Sequence, residues 1–212
     1  MTRTPEEPAT KRPPGRPARI SRDAIVEAVA ATANLDTMTV REVAARLQVT
    51  HGALYRWVRT RDELVDLVSE TLVDRVVRTV DGAAGDPPAA PELLRRLGWA
   101  MHDEFLALPG YATHLSRPHR HHGPSVERIR DTVVTALVRD GVDEAMAEQS
   151  WQIFVTCTVG WLAAVENAQS PGAGTPRFAV FLDVLVRGLP ARDPDADRPA
   201  GTEPPTPDAG RP

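Results

Sequence analysis

Apolar residues recur along this chain at the spacing of a helix face, and no stretch alternates apolar and polar residues like a half-buried strand. Ile25, Val29 and Ala33 share one face behind Ser21, which predicts a helix capped by that serine and broken by residues 34–38. Thr39-Val40-Arg41-Glu42 has the spacing of a capping box, in which Thr39 accepts from a first-turn N–H and Glu42 reaches back. Val40, Val43, Ala44 and Leu47 then follow at i, i+3, i+4 and i+7, giving about two helical turns. Gln48-Val49 is the turn, and Thr50 caps a second short helix from His51 to about Val58, buried through Leu54 and Val58. Thr60-Arg61-Asp62-Glu63 repeats the capping pattern and opens a longer helix, 61–81, with Leu64, Leu67, Val68, Leu72 and Val76 inward. Further on, Pro and Gly punctuate five more helical segments: Glu92–Leu108, Tyr111–Ser116, Ser125–Asp140, Asp143–Gln169 and Pro176–Leu189. The fold class expected is therefore all-α.

Composition narrows the class. The chain has 212 residues, 42% hydrophobic, with one cysteine, so a real core is affordable and neither a disulfide framework nor a Cys-based zinc site is expected. No apolar run of membrane-spanning length occurs, and the N-terminus reads as Pro-rich and basic rather than as a secretory signal. A cytoplasmic protein with no membrane partner is the expectation. Of 20 prolines, five lie in residues 1–20 and seven in residues 190–212, so both ends are read as disordered tails. The net charge of −4 hides a split: residues 1–62 carry 11 basic against 7 acidic groups, and the remainder 14 against 22. Only the N-terminal end is suited to meet a polyanion.

Two short helices joined by a tight turn, the second led by small and polar residues, are what a helix-turn-helix requires. The outer face of that second helix offers Thr50, His51, Gly52, Ala53, Tyr55 and Arg56, with no carboxylate from Leu47 to Arg61. Arg41, Arg46, Arg56, Arg59 and Arg61 surround it as phosphate clamps. Geometry alone leaves a small helical subdomain with a solvated Arg face as an equal alternative.

The run from Thr39 to Thr50 (Thr-Val-Arg-Glu-Val-Ala-Ala-Arg-Leu-Gln-Val-Thr), followed by Gly52 to Leu64, resembles the DNA-binding domain of the TetR (tetracycline-repressor-like) family of transcriptional regulators. The resemblance covers about residues 20–68. It implies that Tyr55 contacts a phosphate and that Arg61 sits at a helix start against the backbone, while Thr50, His51, Gly52, Ala53 and Arg56 approach base edges. Thr39 and Arg41, at the start of the preceding helix, and Trp57 complete the candidate DNA contacts. Three positions depart from the family pattern. Gln48 replaces the usual Gly at a turn position that often needs φ > 0, where about 1 kcal/mol of strain is expected. Trp57 replaces His or Tyr and is expected either to stack on sugar-phosphate or, the favoured reading, to pack under the fourth helix; Val58 replaces Phe. Upstream, residues 11–22 hold five basic groups and no acid, and their Gly-Arg-Pro core, with Arg16 and Arg19, resembles a hook for the narrow A·T minor groove. The domains expected are thus an arm 1–19, a DNA-binding domain 20–68, a helical body 69–189 and a tail 190–212.

The body has a looser resemblance to TetR-family ligand-binding domains, through its Leu-Pro-Gly-Tyr-Ala, Gly-Pro-Ser and Arg-Asp-Gly-Val segments and Gly160-Trp161 with Glu166. The segment 143–169 is apolar nearly all round, and 176–189 is similar, so both need cover on more than one side. A second copy supplies it in a two-fold four-helix bundle, with Trp161, Val165, Phe178, Phe181, Leu182 and Leu185 as dimerisation residues and a palindromic double-stranded operator as the corollary. A ligand pocket for a lipophilic small-molecule effector is expected among Trp99, His102, Phe105, Leu106, His114, Trp151, Phe154, Cys157 and Thr158, with Cys157 a buried, inert thiol. Five of six histidines fall within residues 102–122, but His119-Arg120-His121-His122 lies in a Pro-bounded segment without the spacing of a metal site. No metal, cofactor or catalytic residue is expected; the alternatives are a metal-dependent protein using that His-rich region, or a DNA-binding dimer without an effector.

Overall fold

The computed structural model describes residues 20–32, 35, 38–81, 87–117, 123–167, 174 and 176–192. Among them are nine α-helices and no strand. The basic arm with Arg16 and Arg19, the tract His119-Arg120-His121-His122, and the tail beyond residue 192 lie outside the described residues.

Three small helices form the head: α1 (Arg22–Ala30), α2 (Val40–Arg46) and α3 (His51–Leu54). Each start is fixed by a short polar side chain. Ser21 accepts from Ala24 N at 3.1 Å, Thr39 from Glu42 N at 3.2 Å, and Thr50 from Ala53 N at 3.2 Å. Glu42 returns the bond by accepting from Thr39 N at 2.7 Å, closing the capping box. Such caps are each worth about 1 kcal/mol. The turn between α2 and α3 puts Gln48 at φ 54°, the left-handed region that a glycine enters without cost. α3 is shorter than its sequence pattern predicts: after Leu54 the chain tightens, with Trp57 N donating to Leu54 O, and still delivers Val58 into the core. Ile25, Val29, Val43, Ala44, Leu54 and Val58 form the buried centre of the head.

The long helix α4 (Arg61–Asp81) belongs to both halves of the molecule. Thr60 Oγ1 accepts from Glu63 N at 3.1 Å; the Glu63 carboxylate turns one residue further back than a capping box requires and accepts from Arg59 N at 2.6 Å. Leu64, Val65, Val68, Leu72 and Val76 are buried along one side, each contributing roughly 1.5–3 kcal/mol of hydrophobic stabilisation. α4 packs on α1, on α5 (Ala90–Leu106) and on α7 (Pro124–Arg139). The short α6 (Tyr111–Leu115) lies against α8 (Glu144–Glu166), and α9 (Phe178–Gly188) lies against α5 and α8.

Polar ties lock these helices together. Glu166, at the end of α8, accepts from Thr113 N at 2.8 Å and from Thr113 Oγ1 at 2.8 Å, fixing the first turn of α6. Asp140 accepts from Ala90 N at 2.7 Å, joining the end of α7 to the start of α5. Arg75 of α4 reaches Asp23 of α1 at 2.7 Å and Glu104 of α5 at 3.5 Å, so one guanidinium bridges head and body. No helix among the described residues is long and apolar enough to cross a membrane.

Candidate functional site

Two features stand out: an exposed polar face on the head and a large cavity in the body. On the head, Arg41, Thr50, His51, Gly52, Tyr55, Arg56, Trp57 and Arg59 are exposed and Ala53 is half-buried. The Tyr55 ring, 46% exposed, lies 5.4 Å from the His51 imidazole at a tilt of 47°. Nothing lies within 4 Å of a side chain built at Gly52, so backbone and any partner could approach there closely. Trp57 corrects the expectation that it packs under α4: it is 42% exposed, because the tightened turn after Leu54 carries it outward with Tyr55 and Arg56. Thr39 is exposed, but its hydroxyl and N–H are engaged with Glu42. Arg61 is half-buried and donates to Leu35 O at 3.0 Å, tying α4 to the α1–α2 connection.

The cavity holds about 1040 Å³ between α4, α5, α6, α7 and α8. Its walls are largely apolar, including Val73, Leu97, Met101, Phe105, Ile129, Trp151 and Val155. Its charged lining is mostly acidic: Asp66, Glu70, Glu127 and Asp131, against Arg130 alone. Arg130 is itself held by Glu148 and by Asp131. Glu70 is committed to α7, accepting from Ser125 Oγ at 2.6 Å and Ser125 N at 3.1 Å. Ser69 and Tyr111 are also lining residues, and their hydroxyl oxygens are buried beside each other. Burial pushes the Tyr111 phenol far above its usual pKa; its hydrogen bond with the Ser69 hydroxyl acts in the opposite direction, and Glu70 raises it further.

Of the expected pocket residues, Phe105 and Trp151 line this cavity. Trp99, His102, Leu106, His114, Phe154, Cys157 and Thr158 do not. Phe154 and Thr158 are fully buried in the packing of α8, while Cys157 is exposed, contrary to the buried thiol expected, because its side of α8 faces outward. Trp99 and His102 turn to α9 instead: their rings lie 5.0 and 4.5 Å from Phe178, which is 4.8 Å from Trp161. This ring cluster places Phe178 inside the protomer, and Leu182 is also internal, since a side chain at Gly98 would stand 2.6 Å from it. Trp161, Val165, Phe181 and Leu185 are half-buried, whereas Ile153, Val180 and Val184, which were not among the expected dimerisation residues, expose apolar surface. The polar lining from α4, Ser69 and Glu70, was also missed, although Ser69 falls on the inward stripe between Val65 and Leu72. Among the described residues no group of three His, Cys, Asp or Glu is arranged to hold a metal.

The structure thus joins a helix-turn-helix head, through one long helix, to a helical body with a large cavity. Comparison with solved structures identifies the fold. A possible TetR-family transcriptional regulator from Streptomyces coelicolor A3(2) is 28% identical, with a TM-score of 0.59 over 78% of this chain and 89% of its own. A variant of TetR from Acinetobacter baumannii AYE in complex with minocycline is 19% identical, with a TM-score of 0.64 over 80% of this chain and 96% of its own. BioQ with its double-stranded DNA operator is 19% identical, with a TM-score of 0.59 over 82% of this chain and 100% of its own. No family model and no curated protein matches the sequence. The fold is that of the TetR family of transcriptional regulators.

Proposed function

We propose that this chain is a ligand-responsive DNA-binding regulator, a repressor that grips a palindromic operator as a homodimer and is released by a lipophilic effector. The observation that carries this reading is α4, which seats the recognition head at its first turns and lines the cavity with Ser69, Glu70, Val73 and Val76 further along. Any ligand that favours one position of this helix over another must bias the head it carries, because a ligand shifts an equilibrium by its differential affinity for the two states. Glu70 and Arg75 transmit the bias sideways, to Ser125 of α7 and to Asp23 of α1. The likeness to BioQ with its operator and to TetR with minocycline supports both arms of the proposal.

On the head, we read exposed Arg56 as the contact to a guanine edge and exposed Tyr55, Arg41 and Arg59 as contacts to phosphates. The apolar surface of Ile153, Val180 and Val184 on α8 and α9 calls for cover, which a two-fold copy supplies by building a four-helix bundle. Two heads then present their recognition helices to two half-sites. Selection of genomic fragments by the purified full-length protein, followed by sequencing, tests the whole reading. A shared two-fold motif is the expected result, and absence of enrichment even at low salt overturns DNA binding.

A further inference from the structure

The start of α7 is held by a side chain from another helix. Ser21, Thr39, Thr50 and Asp143 each cap the helix they precede, but Gly123, ahead of α7, has no side chain to do so. Pro124 follows without an N–H, so the first donor of the turn is Ser125 N. Glu70 of α4 accepts it: Ser125 N donates at 3.1 Å and Ser125 Oγ at 2.6 Å. A carboxylate suits this place, because the N–H groups of a first turn carry partial positive charge. Gly123 makes room for it. Its φ of −84° and ψ of 148° suit any residue, yet a side chain there would collide with Glu70 Oε2. The glycine is explained by the carboxylate and not by the backbone. One turn on, Arg128 of α7 reaches Asp74 of α4 at 2.7 Å, but both side chains are exposed and the pair adds little.

We infer that Glu70 and the first turn of α7 form a latch, closed here, through which occupancy of the cavity sets the position of the head. This rests on the regulator reading above and specifies how its two sites are coupled. Gly123, Pro124, Val126 and Glu127 of that turn line the cavity, and so does Glu70. A ligand seated there lies against both halves of the latch. When it drives α4 from α7, the carboxylate leaves a turn whose own N-cap residue cannot replace it. The start of α7 and the fixed position of α4 are then lost together, which favours two discrete arrangements over a continuum. α4 also packs on α1, so its displacement is passed to the head. Glu70 acts in this scheme as a positioning residue.

The latch is opened from either side in the full-length protein, by Glu70→Ala on α4 and by Gly123→Ala on α7, whose added methyl evicts the carboxylate. Glu70→Gln keeps an acceptor for Ser125. Val126→Trp fills the cavity from the latch turn and stands in for a ligand. Spin labels at Ala31→Cys in the head and Thr135→Cys in the body, both exposed positions, report the head-to-body distance. They are placed in a Cys157→Ser background and diluted with unlabelled protein, so that only distances within one chain are read. Hydrogen exchange at the Ser125 amide reports the turn itself. Glu70→Ala and Gly123→Ala should each speed this exchange about tenfold and broaden the distances, with Glu70→Gln near the parent. The double variant should match either single one, since the methyl added at position 123 then has no carboxylate to evict. Val126→Trp should broaden the distances too, and add nothing in the Glu70→Ala background. Faster exchange with unchanged distances makes the cap purely structural and overturns the latch. Additive effects in the double variant, or parental distances in Val126→Trp, overturn it as well. Where Glu70→Ala fails to fold, Ser125→Ala, which removes only the hydroxyl bond, takes its place. Fragment selection on DNA is run separately. A selected palindrome with unchanged distances removes the latch alone, whereas broadened distances without enrichment remove the regulator reading.

Discussion

The head and the body of this molecule are both helical, but they use their surface residues in opposite ways. In the head, the candidate functional side chains are exposed and the core behind them is small: Tyr55, Arg56 and Trp57 face outward from a chain held by Leu54 and Val58. In the body, the candidate functional side chains point inward around a cavity, and the same helices also build the core and an uncovered apolar face. A DNA-reading face is therefore recognisable by what is left outside a fixed local frame. A ligand site must be told apart from ordinary packing by side chains of the same chemistry, and periodicity does not carry that distinction.

The largest effect should come from the uncovered face of the body. Val184, 65% exposed on α9, becomes Asp; Leu182, internal to the protomer, becomes Ala as its foil. Val184→Asp should sediment as a folded monomer and lose operator affinity by about a hundredfold, because two linked half-site contacts become one. Leu182→Ala should lower thermal stability by about 2–5 kcal/mol, leaving the assembly intact wherever the fold survives. A Val184→Asp protein that stays dimeric would move the interface away from α9.

On the head, Tyr55→Ala should weaken operator binding at least tenfold while helical content and dimerisation stay as they are, measured by circular dichroism and sedimentation alongside the binding isotherm. The side chain is half-exposed and no hydrogen bond holds it, so its loss should cost the fold little. Unchanged affinity would remove α3 as the recognition helix. If instead affinity and stability fell together, Tyr55 would be part of the head's structure and the contrast with the body would weaken.

Much of the head was legible because its signals are local. The Thr39–Glu42 capping box, the Ser21 and Thr50 caps and the left-handed Gln48 all follow from side-chain and backbone chemistry within a few residues. The exposed position of Trp57 was not legible, because it depends on how tightly the chain turns after Leu54. In the body, α8 is apolar on nearly every side, so its pattern cannot say which residue meets the core, the cavity or a second copy. Phe105 and Trp151 reached the cavity as expected, but Trp99 and His102 were drawn to Phe178 by ring packing across α5 and α9. Cys157 fell on the outward side for the same reason. Ser69 gave a readable clue, a small hydroxyl on an otherwise apolar stripe, whereas its pairing with Tyr111 of α6 is a tertiary contact that the α4 pattern does not carry.

The smallest effect concerns how the body keeps its own frame. Asp140 is drawn below the ordinary carboxylate range first by accepting from Ala90 N, with Arg139 adding to this and desolvation opposing it. A carboxylate whose folded pKa is depressed stabilises the fold at pH values above its unfolded pKa. That contribution is lost as pH falls through the lower folded value. The tie between α7 and α5 should therefore be at full strength at neutral pH and fade only below about pH 4. Asp140→Asn should lower the melting temperature by about 1–2 °C at pH 7, and the difference from the parent should shrink as the pH is taken below that range. The group is solvent-exposed, so added salt should also reduce the part of the difference due to Arg139 but leave the Ala90 bond in place. Operator affinity should not move, since the tie lies wholly within the body and touches neither α4 nor the cavity. A difference that grew on acidification would mean that the protonated carboxyl, rather than the carboxylate, holds the start of α5.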